Sequence, residues 1–265
     1  LDADHPGFND PDYRRRRNEI AAVAARHETG AVPERVEYMD AEIDTWGTVL
    51  RKLRELYPSH ACHEYNEVLD DIGFAPDHVP QLADIDSYLR EKTGFRVHPV
   101  AGLVESRDFL GKLADRVFPC TSYIRHHSTP EYTPEPDIIH ELLGHIPMLG
   151  IPEYADLMQI IGKGSLGRSD EQILQIGRLY WYTVEFGVVR QKGELRAYGA
   201  GLLSSFGELQ HAVAEKPDIR KFDPEQARMM ENPITTYQPV LWEVVSIKEA
   251  CYRVAAEIER MRYEE

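Results

Sequence analysis

Two histidines, His140 and His145, stand five residues apart in Pro136-Asp137-Ile138-Ile139-His140-Glu141-Leu142-Leu143-Gly144-His145, a segment otherwise apolar enough for a buried helix. Imidazoles at short spacing serve as metal ligands when they share a helix face. In the zinc-protease pattern H-E-x-x-H they do, being about 40° apart around the axis. An offset of five separates them by about 140° on an ideal helix, so both reach one ion only if the helix is distorted between them. Gly144 and Pro147 are the weak points: one loosens the backbone, the other removes a donor and crowds the preceding turn. The third ligand is expected to be a carboxylate, and Glu185 is the lone acid in the aromatic run Tyr180-Trp181-Tyr182-Thr183-Val184-Glu185-Phe186-Gly187. Burying an ionised carboxylate without a partner costs several kcal/mol, and a divalent cation is one partner that removes the cost. Two histidines and a glutamate around open coordination positions form the facial triad of non-heme Fe(II) oxygenases. The same residues also fit a plainer arrangement, with His140 and His145 hydrogen-bonded in the core and Glu185 paired to a cation such as Arg178.

Three motifs, P-D-I-I-H-E-L-L-G-H, Y-W-Y-T-V-E-F-G and A-Y-G-A-G-L-L-S-S-F-G-E-L, occur here in order. In them the chain resembles the catalytic domain of the pterin-dependent aromatic amino acid hydroxylases, and the similarity runs from Asp2-Ala3-Asp4-His5-Pro6-Gly7-Phe8 to the C-terminal helix. The resemblance implies a mostly α fold with a few short β-strands, in a single compact catalytic domain over residues 1–265. It also implies a monooxygenase that uses Fe(2+), tetrahydrobiopterin and O2, with His140, His145 and Glu185 as catalytic metal ligands. No haem or flavin fingerprint is present, so the electrons are expected from a diffusible cofactor. By similarity Val104, Ser106, Phe109, Glu141 and Tyr180 hold the pterin, with Phe109 stacked on its rings. Arg125, Thr133 and Ser204 take the polar end of an amino acid substrate, and Pro136, Trp181 and Phe186 wall its ring. Asp137 is expected to lock the Arg125 fork, and Ser204 doubles as a candidate hydrogen-bond partner for an iron-bound histidine. Val104, Pro119 and Gly177 depart from the vertebrate phenylalanine enzymes and bear on cofactor affinity.

The substrate branch is read from few positions. Ile234 is apolar where the tyrosine branch carries an acid, and Trp181 is similar to the phenylalanine branch, although Ile234-Thr235-Thr236-Tyr237-Gln238 looks more like the tryptophan branch. Phenylalanine is the favoured substrate, with tryptophan hydroxylation as the alternative. Outside the family, a zinc metallohydrolase with Glu141 as general base or a non-catalytic amino-acid-sensing domain would use the same residues differently.

Composition sets the outer bounds. At 265 residues, 42% apolar and 28% charged, the chain is an ordinary globular protein. A net charge of -15 disfavours nucleic acid, and the one basic run, Arg14 to Arg17, is flanked by acids. No apolar run nears the roughly 20 residues of a membrane span. Three scattered cysteines, Cys62, Cys120 and Cys251, favour reduced thiols and a cytoplasmic location. With no N-terminal regulatory domain and no long heptad helix for tetramerisation, a monomer or weak dimer is expected. His60-Ala61-Cys62-His63 has no second ligand pair at zinc-ribbon spacing and is read as structural.

Certain elements must position these groups. Residues 1–13 are expected to be irregular and lid-like, followed by helices over 14–27, 40–57 and 81–92. A strand over 95–100, a helix N-capped by Ser106 and a strand over 118–125 lead to the metal helix, which opens at Pro136-Asp137. After a turn-rich 162–167, Ser169 and Gln172 form a capping box for a helix carrying Glu185 on to 190. A turn at 192–194 joins two short strands, and Gly199 and Gly201 permit close backbone approach before a helix over 202–215. A surface connection over 216–233, a strand over 235–245 and a last helix capped by Ser246 and Glu249 complete the chain.

Overall fold

Asp10 fixes where regular structure begins, because its carboxylate accepts from the N–H groups of Asp12 and Tyr13. In the computed structural model, which describes residues 5–131, 133, 135–234 and 236–263, helix α1 therefore spans Pro11–Ala25. The expected irregular segment is thus too long: Pro11, Asp12 and Tyr13 form the first helical turn, with proline where its missing donor matters least. α2 (Asp40–His60) buries Trp46, Val49, Leu50, Leu53 and Tyr57 along one face, as the apolar spacing predicts. The chain breaks at Ala61, which bridges to Ala197, so His60 and His63 lie on different helices rather than one face. His60 Nδ1 sits 2.8 Å from Ser59 Oγ, in keeping with a structural histidine.

α3 (His63–Ile72), which no sequence signal singled out, ends at Gly73 in a left-handed cap. α4 (Leu82–Lys92) leads to β1 (Arg96–Val100), α5 (Ser106–Leu113) and β2 (Val117–Thr121), and β1 and β2 pair in parallel. Ser106 is the first residue inside α5, not its cap, which is Glu105. The metal helix starts as α6 (Ile138–His140), widens into a π-turn over Glu141–His145 and returns to α7 (Ile146–Leu149).

α8 (Pro152–Ser165) absorbs most of the expected turn at 162–167 and packs on α5, on α9 (Asp170–Tyr180) and on the C-terminal helix. The Ser169 and Gln172 capping box opens α9 as expected, but the helix does not reach 190. It ends in a second π-turn over Trp181–Glu185, after which the chain becomes β3 (Val188–Gln191) and hairpins into β4 (Glu194–Ala197). The expected helix over 202–215 is broken at Ser204 into α10 (Ala200–Leu203) and α11 (Phe206–Val213). The supposed surface connection holds β5 (Asp218–Lys221) and α12 (Pro224–Met229). β6 (Val240–Val244) completes a four-stranded sheet in the order β4-β3-β6-β5. α13 (Ile247–Arg260) closes the fold, its cap Ser246 accepting from Glu249 N, while the Glu249 carboxylate reaches Val245 N instead of the cap residue. The architecture is mostly α with a few short strands, and no helix among the described residues is long and apolar enough to cross a membrane.

Candidate metal centre and substrate pocket

The first π-turn resolves the spacing of the histidines. Its i→i+5 hydrogen bonding, with Ile146 N–H donating to Glu141 O, brings residues five apart onto one face. His140 Nε2 and His145 Nε2 come within 3.1 Å of each other. The second π-turn, closed by Phe186 N–H on Trp181 O, delivers Glu185 to the same point. One carboxylate oxygen lies 3.1 Å from His145 Nε2 and the other 3.8 Å from His140 Nε2. Two cis ligands each about 2.1 Å from one ion would stand about 3.0 Å apart, so the three groups match a facial set.

His140 and Glu185 are held in the forms that bind a metal. Ser204 donates its hydroxyl hydrogen to Ala200 O at 2.8 Å and so accepts from His140 Nδ1, also at 2.8 Å. That bond leaves His140 Nε2 as a free lone pair. Burial lowers the His140 pKa to about 4, against the opposing pull of Glu185. Burial would lower His145 as well, but the facing Glu185 carboxylate raises it by charge and hydrogen bond. Burial works against ionisation of Glu185, yet His145, His140 and the Tyr180 hydroxyl together hold it at about 2. His145 Nδ1 is buried without a hydrogen-bond partner. Glu185 does not pair with Arg178, whose Nη1 caps the end of α12 at Arg228 O and Met229 O.

A second carboxyl stands close by. Glu141 groups with both imidazoles within 4.8 Å, but its Oε1 is taken by Thr121 N and Oγ1, each at 3.1 Å. Glu185, with an oxygen aimed at each Nε2, is the better third ligand. Burial pushes the Glu141 carboxyl up to about 7, against the opposing pull of His145 and the Thr121 bonds. Phe109 is half-buried, 5.4 Å from the Tyr180 ring and 6.1 Å from Phe118, nearly perpendicular to both. Val104 lines a surface groove with Arg107, Asp108 and Gly111, and Ser106 is exposed. No hydrogen bond joins either to the ligand set among the described residues.

Arg125 and Asp137 form a buried two-point pair at 2.9 and 2.7 Å, and Asp137 also accepts from Arg125 N and His140 N. Arg125 Nη1 donates to Pro130 O, which leaves one N–H on each terminal nitrogen. The guanidinium is thereby fixed next to the metal helix with two donors to offer. Thr133 spends its hydroxyl hydrogen on Glu135 O at 2.6 Å, so toward a ligand it is an acceptor. Trp181 and Phe186 pack at 4.7 Å, Trp181 Nε1 donates to Gln238 Oε1 at 2.9 Å, and Pro136 O accepts from Tyr123. Thr121 and Gln238 escaped sequence reasoning. Their bonds join residues 20 and 57 positions apart, and no local pattern encodes them.

Comparisons with known proteins agree with this geometry. A family model described as biopterin-dependent aromatic amino acid hydroxylase matches residues 1–263. Phenylalanine-4-hydroxylase of Homo sapiens is 50% identical over 258 residues, covering 96% of this chain and 57% of that protein. Tyrosine 3-monooxygenase of Mus musculus is 50% identical over 254 residues, covering 94% and 51%. The chain thus spans little more than half the length of these relatives. Chromobacterium violaceum phenylalanine hydroxylase with bound oxidised Fe(III) superposes with a TM-score of 0.83 at 30% identity, over 96% of this chain and 94% of that one. The same enzyme with iron(III) and 7,8-dihydrobiopterin gives 0.83 at 30%, over 96% and 93%.

Proposed function

Because the chain belongs to the biopterin-dependent aromatic amino acid hydroxylase family, we propose that it is a phenylalanine 4-monooxygenase, converting phenylalanine to tyrosine with O2 and tetrahydrobiopterin. The observation that carries the reading is the convergence of His140 Nε2, His145 Nε2 and the Glu185 carboxylate on one point. When bound, iron and reduced pterin supply O2 activation and the two electrons needed to reduce the second oxygen atom to water.

The chain's own residues bind and orient. The free N–H groups of Arg125 take the substrate carboxylate, held in place by Asp137, and Thr133 accepts from the ammonium. Trp181, Phe186 and Pro136 confine the ring and exclude water. Glu141 would offer the pterin a hydrogen-bonding carboxyl, and Phe109 and Tyr180 would offer it aromatic surface. Identity does not favour phenylalanine over tyrosine, since both named relatives stand at 50%. What supports phenylalanine is that the indole N–H of Trp181 is already used by Gln238 and so is not on offer to a phenolic hydroxyl, whose burial unpaired costs about 1–3 kcal/mol. Product analysis tests the reading: Fe(II) is loaded anaerobically, then tetrahydrobiopterin, O2 and equimolar phenylalanine, tryptophan and tyrosine are added. Tyrosine formation from labelled phenylalanine is the expected result. Mainly hydroxytryptophan would move the chain to another branch, and no hydroxylated product would overturn the proposal.

A further inference from the structure

Gln238 is 2% exposed, and its backbone N–H and both ends of its side-chain amide are hydrogen-bonded. Its backbone N–H donates to Glu208 Oε1 at 2.9 Å, its side-chain Oε1 accepts from Trp181 Nε1 at 2.9 Å, and its Nε2 donates to Pro233 O at 3.0 Å. The partners fix which way the amide faces, since an indole N–H only donates and a carbonyl only accepts. An indole has two broadly favoured orientations about its Cβ–Cγ bond. Only one of them presents Nε1 to Gln238. The bond therefore chooses the orientation of the ring that packs on Phe186, a wall of the substrate's ring pocket in the hydroxylase reading. The same glutamine ties that ring to Pro233 O, and the Tyr182 hydroxyl donates to nearby Glu231 O at 2.9 Å.

We propose that Gln238 is a positioning residue that sets the pocket's discrimination between one-ring and two-ring aromatic amino acids by fixing the orientation of the Trp181 indole. The identity of the pocket rests on the hydroxylase reading above; the bond itself does not. Gln238→Met keeps the side-chain length and removes both donor and acceptor. With phenylalanine and tryptophan as competing substrates, the ratio of their kcat/KM values falls about tenfold, the worth of one hydrogen bond, with KM carrying most of the change. A role in holding the loop alone would lower the melting temperature and weaken both substrates alike.

Two further measurements stand apart from turnover. In the metal-free protein labelled with 15N-tryptophan, the Trp181 indole N–H resonance moves upfield and exchanges faster in Gln238→Met. The Trp46 resonance, bonded to Ala75 O at 2.8 Å, serves as the fixed reference. On the same samples, titration gives the ratio of phenylalanine to tryptophan dissociation constants, which shifts in the same direction. Gln238→Glu keeps an acceptor for the indole and restores the wild-type ratio, so a poorly folded methionine variant does not decide the matter. An unmoved Trp181 resonance overturns the proposal, as does a moved resonance with an unchanged ratio. A shifted binding ratio without any hydroxylation in the wild type retires the hydroxylase reading and keeps this one, whereas binding of neither amino acid overturns both.

Discussion

One hydroxyl decides how His140 presents itself. Without Ser204 Oγ the imidazole is free to rotate or to carry its hydrogen on Nε2, the atom that faces His145 and Glu185 in the candidate metal centre. Ser204→Ala is therefore expected to weaken Fe(II) binding about 10–100-fold, measured by anaerobic competition with a chelator, while costing only about 1 kcal/mol of metal-free stability. Affinity within twofold of the parent would show that something else orients the ring. At this scale the sequence was informative where residue type alone restricts the options. A carboxylate in Tyr180-to-Gly187 needed a partner, and a guanidinium near the metal helix needed Asp137. Thr121 and Gln238 carry no such restriction. A threonine at a strand end or a glutamine in a loop satisfies itself in water as readily as on Glu141 or Trp181, so only the folded structure reveals the bond.

Both helices that carry the candidate ligands depart from α geometry at those residues, and the neighbouring turn is built to fit the departure. The first π-turn presses against α10 so closely that a Cβ on Gly144 would stand 2.7 Å from Ala200 O and 2.9 Å from Ala200 Cβ. The second meets Gly199, where a Cβ would lie 2.4 Å from Glu185 O. Gly144→Ala is expected to destabilise the fold by about 1–3 kcal/mol and to lower the melting temperature by several degrees, because backbone and side chain must both shift. Calorimetry of the metal-free chain checks this, and an unchanged midpoint would mean that α10 yields freely. The five-residue offset of the histidines announced a distortion, and Gly144 marked its place, so this element was legible in outline. α8 was not. Its Gly162 and Gly164 read as turn residues, yet they sit inside a helix where their missing side chains admit Ala114 N and Ile258 Cγ2, each of which a Cβ would crowd to within 2.6 Å. A glycine that serves helix packing is indistinguishable in sequence from one that serves a turn. The helix over 170–190 failed for the complementary reason: its apolar pattern continues past Glu185, but the π-turn and Gly187 redirect the chain into β3.

Long motifs made the whole-molecule architecture legible, but not how α1 is seated on it. The helix is held across the chain by Arg17 on Glu135, by Arg16 on Glu42 at 3.0 Å, by His126 on Asp10 at 3.2 Å and by the Tyr13 hydroxyl donating to Ile124 O at 2.9 Å, next to Arg125. Burial pushes the Tyr13 phenol up to about 12, with Arg17 opposing and Asp137 and Glu135 adding. A phenol whose folded pKa lies above its unfolded value near 10 stabilises the fold in full below pH 10, and that contribution is lost as the pH rises through 12. For a half-buried group the loss is about 1 kcal/mol after solvent screening. Other buried tyrosines, Tyr57 and Tyr123 among them, are raised as well, so the bulk alkaline transition does not isolate Tyr13. The comparison with Tyr13→Phe does. Urea midpoints at pH 8, 10 and 11.5 should show the parent more stable than the variant by about 1 kcal/mol at pH 8, the worth of the lost hydrogen bond, with the gap closing between pH 10 and 11.5. A gap that stays constant to pH 11.5 would mean that the Tyr13 phenol titrates equally in the folded and unfolded chains.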